Sequence, residues 1–301
     1  MITKVPHVIK LDGVYNDETY WERVNRSQAW LGETEEEQRE AQIRLSNATV
    51  GVAGCGGIGG ACAMRLARLG IRHIKVADPD SFDWTNVNRQ YGAEKENLGK
   101  NKAEIVGHAV HRLVGDVTVE IYPEGITKDN AEHFVNGCDI VLDQMDFYLL
   151  GERYALHKAF RNSKKTKYIL SAWCIGWGTS LYKWTHDGMS LEEFFNIPED
   201  TELKGDIIKT LLSKFMPKEP LFPSTDEIYR WFVDKKIVPL FATSPPVAEA
   251  AVIPQVALAI TGYDKKEGVT PIPAAPDCWV FDATTMKSEF LKYTGGKYVS
   301  Q

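Results

Sequence analysis

Residues 49–69 read TVGVAGCGGIGGACAMRLARL, and this stretch decides the fold class. A short β-branched run, 49–53, leads into a glycine-rich turn, and apolar residues then recur at helical spacing over 61–69. The pattern predicts a strand, a tight turn and a helix in direct succession. Such a unit is typical of folds that bind nucleotides at the turn.

The glycines of this turn allow the backbone to approach phosphate oxygens, and the following helix offers unpaired N–H groups and a positive dipole end. The candidate phosphate contacts are Gly54, Gly56, Gly57 and Gly59. Asp78 lies 19 residues after Gly59, at the end of the next predicted strand, where a carboxylate can accept both ribose hydroxyls. These features alone fit NAD as well as ATP, since a Rossmann dehydrogenase shows the same spacing.

Strands and helices alternate after the glycine turn. The patterns predict strands over 73–77, 117–122, 139–142 and 168–172, and helices over 102–113, 128–135 and 148–161. Alternation of this kind builds a mostly parallel sheet with helices on both faces. A further strand over 180–184 and a hairpin over 279–291 predict an antiparallel C-terminal extension. The expected fold is α/β, a Rossmann-like doubly wound sheet.

One elaborated domain is expected at this length, with four regions. They are a charged helical segment, 1–48, broken near Gly32; the nucleotide-binding region, 49–185; a polar, Pro-containing insertion, 186–244; and a helix with the hairpin, 245–301. The insertion has too few apolar residues for a core of its own, which favours a lid or an interface element.

The composition is that of an ordinary globular protein, and the net charge of −6 argues against a nucleic-acid partner. The basic run 164–167 is interpreted as a solvated loop. No secretory signal is visible in the first six residues, and the apolar stretch 247–260 is interrupted by Glu249 and Pro254, which disfavours a membrane span. A soluble, cytoplasmic protein without a membrane partner is expected. The five scattered cysteines form no C-x-x-C pair, so neither zinc nor a disulfide framework is indicated.

Two cationic features favour a triphosphate over a dinucleotide, which needs fewer cations. In the string NVNRQ, 86–90, the guanidinium of Arg89 suits bidentate capture of phosphate oxygens. Lys102, at a predicted helix start, can meet the charge that develops as a phosphoanhydride breaks. Taken singly, the string 86–90 could be an ordinary loop and Lys102 a solvated lysine. Their order and spacing after the glycine turn favour the phosphate-binding interpretation.

A carboxylate pair follows the strand 139–142. Asp143 and Asp146 lie where parallel strands end, and a hard acid there can hold Mg²⁺ on a triphosphate. Asp143 equally suits a helix cap, so Asp146 is the better metal candidate.

The order of five motifs resembles the ubiquitin-activating-enzyme-like superfamily, the ThiF, MoeB and HesA group of adenylyltransferases. The motifs are GCGGIGG (54–60), VADPD (76–80), TNVNRQ (85–90), LGKNK (98–102) and VLDQMD (141–146). The resemblance covers roughly residues 20–185. It implies that Gly57 lines the ATP phosphates, Asp78 binds ribose, Asn86 and Arg89 hold phosphates with Gln90 beside them, Lys102 stabilises the transferring α-phosphate, and Asp146 coordinates Mg²⁺.

The resemblance also implies a homodimer. The tripeptide VNR, 24–26, resembles a motif whose arginine reaches the phosphates of the partner subunit, so Arg26 is the candidate that acts in trans; a solvated helix arginine is the plainer interpretation.

Three departures from the family pattern stand out. The paired zinc cysteines of many relatives are missing, Phe147 follows Asp146 where relatives usually have Asn or Ser, and Cys174 is better explained by core packing than by acyl transfer.

The leading hypothesis is therefore an ATP- and Mg²⁺-dependent adenylyltransferase that activates a carboxylate as an acyl-adenylate. The acid could belong to a ubiquitin-like carrier, a ribosomal peptide in natural-product assembly, or a tRNA nucleoside. The segments 176–195 and 243–245 look most like tRNA threonylcarbamoyladenosine dehydratase relatives and other standalone ThiF-type proteins. Substrate recognition would fall to 186–244. The alternatives are an NAD-dependent oxidoreductase, which leaves Arg89, Lys102 and Asp146 without roles, and a non-catalytic activating-enzyme subunit.

Overall fold

The structure is a computed structural model that describes residues 6–300. Its centre is a ten-stranded sheet. The strands are β1 (Ile9–Leu11), β2 (Thr49–Ala53), β3 (His73–Ala77), β4 (Thr118–Tyr122), β5 (Ile140–Asp143), β6 (Tyr168–Ile175), β7 (Gly178–Trp184), β8 (Cys278–Asp282), β9 (Lys287–Thr294) and β10 (Lys297–Ser300). Their order across the sheet is β1-β4-β3-β2-β5-β6-β7-β8-β9-β10.

Ten α-helices of the described chain flank the sheet. They are α1 (Asp17–Gln28), α2 (Glu35–Asn47), α3 (Gly59–Leu69), α4 (Lys102–Val114), α5 (Ala131–Val135), α6 (Leu150–Asn162), α7 (Leu191–Phe195), α8 (Gly205–Phe215), α9 (Thr225–Val233) and α10 (Ser244–Thr261). Local sequence sets several of their ends. Asn101 caps the start of α4 by accepting a hydrogen bond from the backbone of Glu104, and Gly70 ends α3 with φ of 104°.

The central strands are parallel. From β2 the chain first adds β3 and β4 on one side, and it then adds β5 and β6 on the other side of β2. The run β4-β3-β2-β5-β6 is parallel, whereas β1 and the strands from β7 to β10 are antiparallel. The predicted α/β class, with a mostly parallel sheet and an antiparallel C-terminal extension, is confirmed. Because β3 and β5 lie on opposite sides of β2, a crevice opens at the carboxyl ends of these strands.

Both faces of the sheet are covered, so the central strands are apolar on both sides. All five residues of β2, for example, are buried. One core joins the sheet to α2, α3, α4 and α10, and the other joins it to α5 and α6. The buried apolar side chains Ile208, Leu212 and Phe232 show that α8 and α9 extend this second core.

The insertion 186–244 therefore shares the core of the sheet. Its helices α7, α8 and α9 have one apolar face each, and that face packs on the side of the sheet that carries α6. This arrangement follows from a segment whose apolar residues suffice for one face but not for a separate core. The four region boundaries themselves stay a prediction.

The edges of the sheet were not predicted. The three-residue strand β1 pairs with β4, and β10 pairs with the longer β9. Strands this short contain too few alternating apolar and polar residues to be recognised from sequence. They form because a neighbouring strand pairs with them. Helix α10 runs through Pro254 without a break in its assignment. Residues 1–5, on which the expectation of no secretory signal rests, lie outside the described part.

Across residues 6–300, no helix combines the length and the apolar character needed to cross a membrane. The expectation drawn from the stretch 247–260 agrees with this finding. That stretch lies within α10, which packs with its buried residues against α3 and the sheet.

The glycine turn generates a stability prediction. A Cβ at Gly54 would lie 2.3 Å from the carbonyl oxygen of Gln144, and one at Gly59 would lie 1.9 Å from that of Gly54. Gly54→Ala and Gly59→Ala should each lower the free energy of unfolding by about 1–3 kcal/mol, measured by urea denaturation. Gly151→Ala, where a Cβ meets only a side-chain carbon at 3.9 Å, should leave it unchanged or raise it by up to about 1 kcal/mol. Equal stability of all three variants would contradict this account.

Candidate active site

A cavity of about 320 Å³ lies at the carboxyl ends of β2, β3, β5 and β6. The residues that follow these strands line it, including Gly54 after β2, Asp78 after β3 and Gln144 after β5. This is the crevice expected where the strand order reverses. Most sequence-predicted site residues line this one cavity. They are Gly54, Gly56, Gly57, Asp78, Arg89, Gln90, Lys102 and Asp146.

The glycine turn presents its backbone to the cavity. Gly54 adopts φ of 95°, a left-handed conformation that favours glycine, and its N–H donates to the carbonyl of Ala77 at 2.7 Å. A Cβ at Gly56 would meet only the side chain of Gln90, at 3.7 Å, so the space above this residue is open. Gly59 does not line the cavity. It lies beneath the turn, where helix α3 begins against the carbonyl of Gly54.

Asp78 links the turn to the end of β3. Its carboxylate accepts hydrogen bonds from the backbone N–H of Cys55 at 2.6 Å and of Asp80 at 2.9 Å. Burial raises the pKa of Asp78, and the charge of Lys102 acts in the opposite direction. A carboxylate oxygen can accept more than one hydrogen bond, so Asp78 retains capacity for ribose hydroxyls.

Lys102 is held at the cavity wall by the start of α4. The side chain of Asn101, which caps this helix, donates to the carbonyl oxygens of Asp78 and Pro123 at 3.0 and 3.1 Å. The side chain of Lys102 is 9% exposed, and its Nζ lies 3.1 Å from Oδ2 of Asp80. Asp80 is a lining residue that the sequence did not single out, although it stands two positions after Asp78.

Arg89 and Gln90 bring unpartnered polar atoms to the cavity. Nη1 of Arg89 donates to the carbonyl of Thr85 at 2.8 Å and to the side chain of Asn88 at 3.0 Å. In contrast, Nε of Arg89 and Oε1 of Gln90 are buried without a hydrogen-bond partner. Burial lowers the pKa of Arg89, opposed by the charge of Asp146. A polar ligand in the cavity can pair with such atoms, and leaving them unpaired is unfavourable.

Asn86 does not line the cavity. Its buried side chain accepts a hydrogen bond from the backbone of Asp83 at 3.1 Å, as half of a capping box that begins a 3-10 turn. The carbonyl of Asn86 accepts from the backbone N–H groups of Arg89 and Gln90. The structure thus uses Asn86 to shape the loop that carries Arg89, and it shows no phosphate-facing position for the side chain.

A buried ion cluster lies beneath the Asp146 loop. Asp143 is fully buried and accepts hydrogen bonds from Nε of Arg153 at 2.8 Å and from His157 at 3.1 Å. Nη2 of Arg153 donates to the carbonyl of Met145 at 2.6 Å. Asp143 is therefore neither a metal candidate nor a simple cap. It fixes Arg153, which in turn holds the loop on which Asp146 is exposed.

Asp146 supplies the carboxylate suited to Mg²⁺. Over residues 6–300, no group of three or more His, Cys, Asp or Glu side chains is arranged to hold a metal. A single carboxylate still fits Mg²⁺, which is commonly bound by one or two carboxylates together with substrate phosphates and water. The position of Asp146 opposite Arg89 suits that mode.

Arg26 lies outside this cavity. It is an exposed residue near the end of α1, whose buried residues are Tyr20 and Val24. A role for Arg26 at a phosphate would require a second copy of the chain, so the assignment in trans stays a prediction.

Aromatic and aliphatic residues form the other half of the cavity. They are Phe147 after β5, Trp173 on β6, Phe215 on α8, Phe232 on α9, and Leu240. The sequence marked only Phe147, as a departure from the family pattern. The others were missed because nothing in the local pattern distinguishes a cavity wall from ordinary core. Gln144, which the sequence quoted without a role, also lines the cavity, and its Oε1 is buried without a partner.

Cys174 lines the cavity as a protonated thiol. Burial raises its pKa to about 12, and its Sγ lies 3.0 Å from Oγ1 of Thr179. Nucleophilic chemistry requires the thiolate, so these surroundings disfavour acyl transfer to Cys174.

Comparison with known proteins gives a family and several relatives. The model of the ThiF family matches residues 27–293. The adenylyltransferase and sulfurtransferase UBA4 of Candida albicans is 37% identical over 107 residues, which is 36% of this chain and 24% of the relative. The tRNA threonylcarbamoyladenosine dehydratase of Haemophilus influenzae is 36% identical over 108 residues, 36% of this chain and 41% of the relative. The chain thus spans less than half the length of these curated relatives.

Solved structures share the fold at low identity. A crystal structure of E. coli MccB with ATP superposes with a TM-score of 0.61 at 21% identity, covering 97% of this chain and 76% of that one. The structure of the microcin C7 biosynthetic enzyme MccB with N-formylated MccA gives 0.60 at 19% identity, with coverage of 91% and 72%. These likenesses extend across the insertion and the C-terminal strands.

The buried cluster predicts how stability depends on pH. Burial lowers the pKa of His157, although Asp143 acts in the opposite direction. The unfolded chain therefore binds a proton at this residue before the folded chain does, and stability should fall as pH drops below about 6.5. Urea denaturation at pH 7.5 and 5.5 should show this loss in the wild type and a smaller loss in His157→Gln. The exposed His108→Gln should keep the wild-type difference. An equal loss of stability between pH 7.5 and 5.5 in both variants would show that His157 does not cause the pH dependence.

Proposed function

The chain belongs to the ThiF family, and on that basis we propose that it adenylylates a substrate carboxylate with ATP. The family relationship inferred from the order of five motifs is thereby confirmed. One observation carries the proposed activity: the glycine turn, Asp78, Arg89, Lys102 and Asp146 line a single cavity. An NAD-dependent oxidoreductase has no use for this set of charges, and a non-catalytic subunit has no reason to retain it.

The proposed reaction is attack of the carboxylate oxygen on the α-phosphorus of ATP. A new oxygen–phosphorus bond forms, the bond to the bridging oxygen of the β-phosphate breaks, and pyrophosphate leaves with the electron pair. The products are an acyl-adenylate and pyrophosphate. The backbone of the glycine turn and Asp78 orient the nucleotide, and no proton needs to move at the carboxylate. Positioning and charge neutralisation then supply most of the rate enhancement.

The cations of the cavity have distinct positions. Lys102 enters from the start of α4, and Arg89 from the loop that Asn86 shapes. Because both side chains are held by neighbouring groups, they can face the phosphates with little rearrangement. Asp146 would hold Mg²⁺, which when bound neutralises charge on the departing pyrophosphate.

We further propose a peptide or a small protein as the source of the carboxylate, as in ribosomal peptide modification. MccB, whose fold this chain shares, has been solved with N-formylated MccA as well as with ATP. The acidic net charge of −6 makes a protein partner more favourable than a polyanion. The similarity to a tRNA threonylcarbamoyladenosine dehydratase supports a tRNA substrate as the second candidate.

A homodimer is proposed as the working unit. The exposed guanidinium of Arg26 near the end of α1 is available to a second copy, which supports action in trans. We also propose a cytoplasmic location, which agrees with an enzyme that consumes ATP.

The cations give the first functional test. Arg89→Ala and Lys102→Ala should each abolish ATP–pyrophosphate exchange, with a loss of at least about 100-fold, because each removes a charge that stabilises the transition state. Lys100→Ala is the matched control, since this exposed lysine lies two residues before Lys102 and outside the cavity. Circular dichroism should show that all three variants fold. Wild-type exchange in the first two would refute the assigned roles.

Asp78 gives a second test, on binding. Asp78→Ala should raise the KM for ATP by about tenfold or more and change kcat less, because the ribose contacts are the same in the ground and transition states. Steady-state exchange kinetics at varied ATP measure both constants. Asp129→Ala, at an exposed carboxylate that does not line the cavity, serves as control. A change confined to kcat would contradict the ribose assignment.

A further inference from the structure

The apolar half of the cavity forms a continuous wall of rings. We call it the aromatic compartment, made of the rings of Phe147, Trp173, Phe215 and Phe232 together with the aliphatic side chain of Leu240. The ring centroid of Phe147 lies 5.0 Å from those of Phe215 and Phe232, and the rings of Trp173 and Phe215 are 3.9 Å apart. Burial of an apolar ligand group against such rings is favourable.

The strand order separates this compartment from the place of the nucleoside. Asp78 follows β3, whereas Trp173 lies on β6, and the order between them is β3-β2-β5-β6. Neighbouring strands are about 4.8 Å apart, so three intervals span about 14 Å. A ribose at Asp78 with its phosphates above the glycine turn of β2 leaves the β6 side to the other reactant.

Trp173 brings one polar atom to the otherwise apolar wall. Trp173 is 6% exposed, and its Nε1 is buried without a hydrogen-bond partner. An indole N–H is a donor only, and a carbonyl or carboxylate oxygen is one acceptor that satisfies it. An acyl group entering the compartment would bring such an oxygen together with its side chain.

The mouth of the compartment continues as an exposed aromatic surface. Trp177 lies two residues after the lining residue Ile175, and Phe241 directly follows Leu240. The rings of Trp177 and Phe241 are 4.2 Å apart, and Phe222 packs beside Trp177 at 5.9 Å. Phe222 and Phe241 are 49% and 39% exposed. A nucleoside or a free amino acid is too small to cover both regions, whereas the end of a peptide can.

We propose that the substrate is a peptide whose carboxylate-bearing residue has a large apolar side chain of the Leu or Phe type. The aromatic compartment receives this side chain, the indole N–H of Trp173 donates to an oxygen of the same residue, and the preceding residues cross Trp177 and Phe241. This inference rests on the proposed adenylylation, because it assigns the acyl half of the same cavity.

Calorimetric titration of the full chain tests the inference. The probes are five pentapeptides that share a Gly-Ser body and end in Phe, Leu, Ala, Asp or Lys with a free carboxylate. They are titrated with Mg²⁺ and a non-hydrolysable ATP analogue present. The Phe and Leu peptides should bind at least about tenfold more tightly than the Ala peptide, and the charged ones more weakly still. Equal affinity of all five, or binding of none, overturns the inference.

Variants locate the preference. Leu240→Ala, at a half-buried wall position, should reduce the Phe-over-Ala preference at least threefold. Val14→Ala, on an 80% exposed aliphatic residue elsewhere, should keep the wild-type preference. An unchanged preference in Leu240→Ala overturns the assignment of the compartment. Titration of the ATP analogue alone distinguishes failure of this inference from failure of the proposed function. If the nucleotide binds but no peptide preference is seen, only this inference is refuted. If the nucleotide does not bind, the adenylylation is refuted as well.

Discussion

The close approach of two backbones, at Gly54 and Gln144, is the constraint on which the site depends. No side chain fits between them, since a Cβ at Gly54 would lie 2.3 Å from the carbonyl oxygen of Gln144. This contact brings the ends of β2 and β5 together at the point where the strand order reverses. The glycine turn, Asp78 and the Asp146 loop then share one crevice because the strands that carry them are neighbours.

Around this contact lie buried charged and polar groups that lack part of the pairing they need. Asp78 is buried with a raised pKa, and the Nε of Arg89 and the Oε1 of Gln90 have no partner. Such groups reduce stability in isolation and become favourable when a charged ligand meets them. The buried ion pair of Asp143 and Arg153 lies directly below and holds the loop, although Nη1 of Arg153 is itself buried without a hydrogen-bond partner. Unpaired polar atoms thus occur both at the cavity wall and in the ion pair beneath it.

The insertion gives the cavity its second chemistry. Helices α8 and α9 share the core of the sheet, and in doing so they place Phe215 and Phe232 at the cavity wall beside Trp173. One half of the cavity therefore suits phosphates and the other an apolar group. Under the proposed function, this division would place the nucleotide and the acyl substrate on different parts of the sheet edge.

The sequence by itself determined the order of the elements, the α/β class and most of the polar site, because glycine turns, strand ends and helix starts are local features that carry their own residue patterns. Only the tertiary structure decided that Asn86 shapes a loop, that Asp143 pairs with Arg153, and that aromatic residues far apart in the chain form one wall. The physical reason is that the role of a side chain depends on which groups fold against it. Those groups come from distant segments, and no local pattern records them.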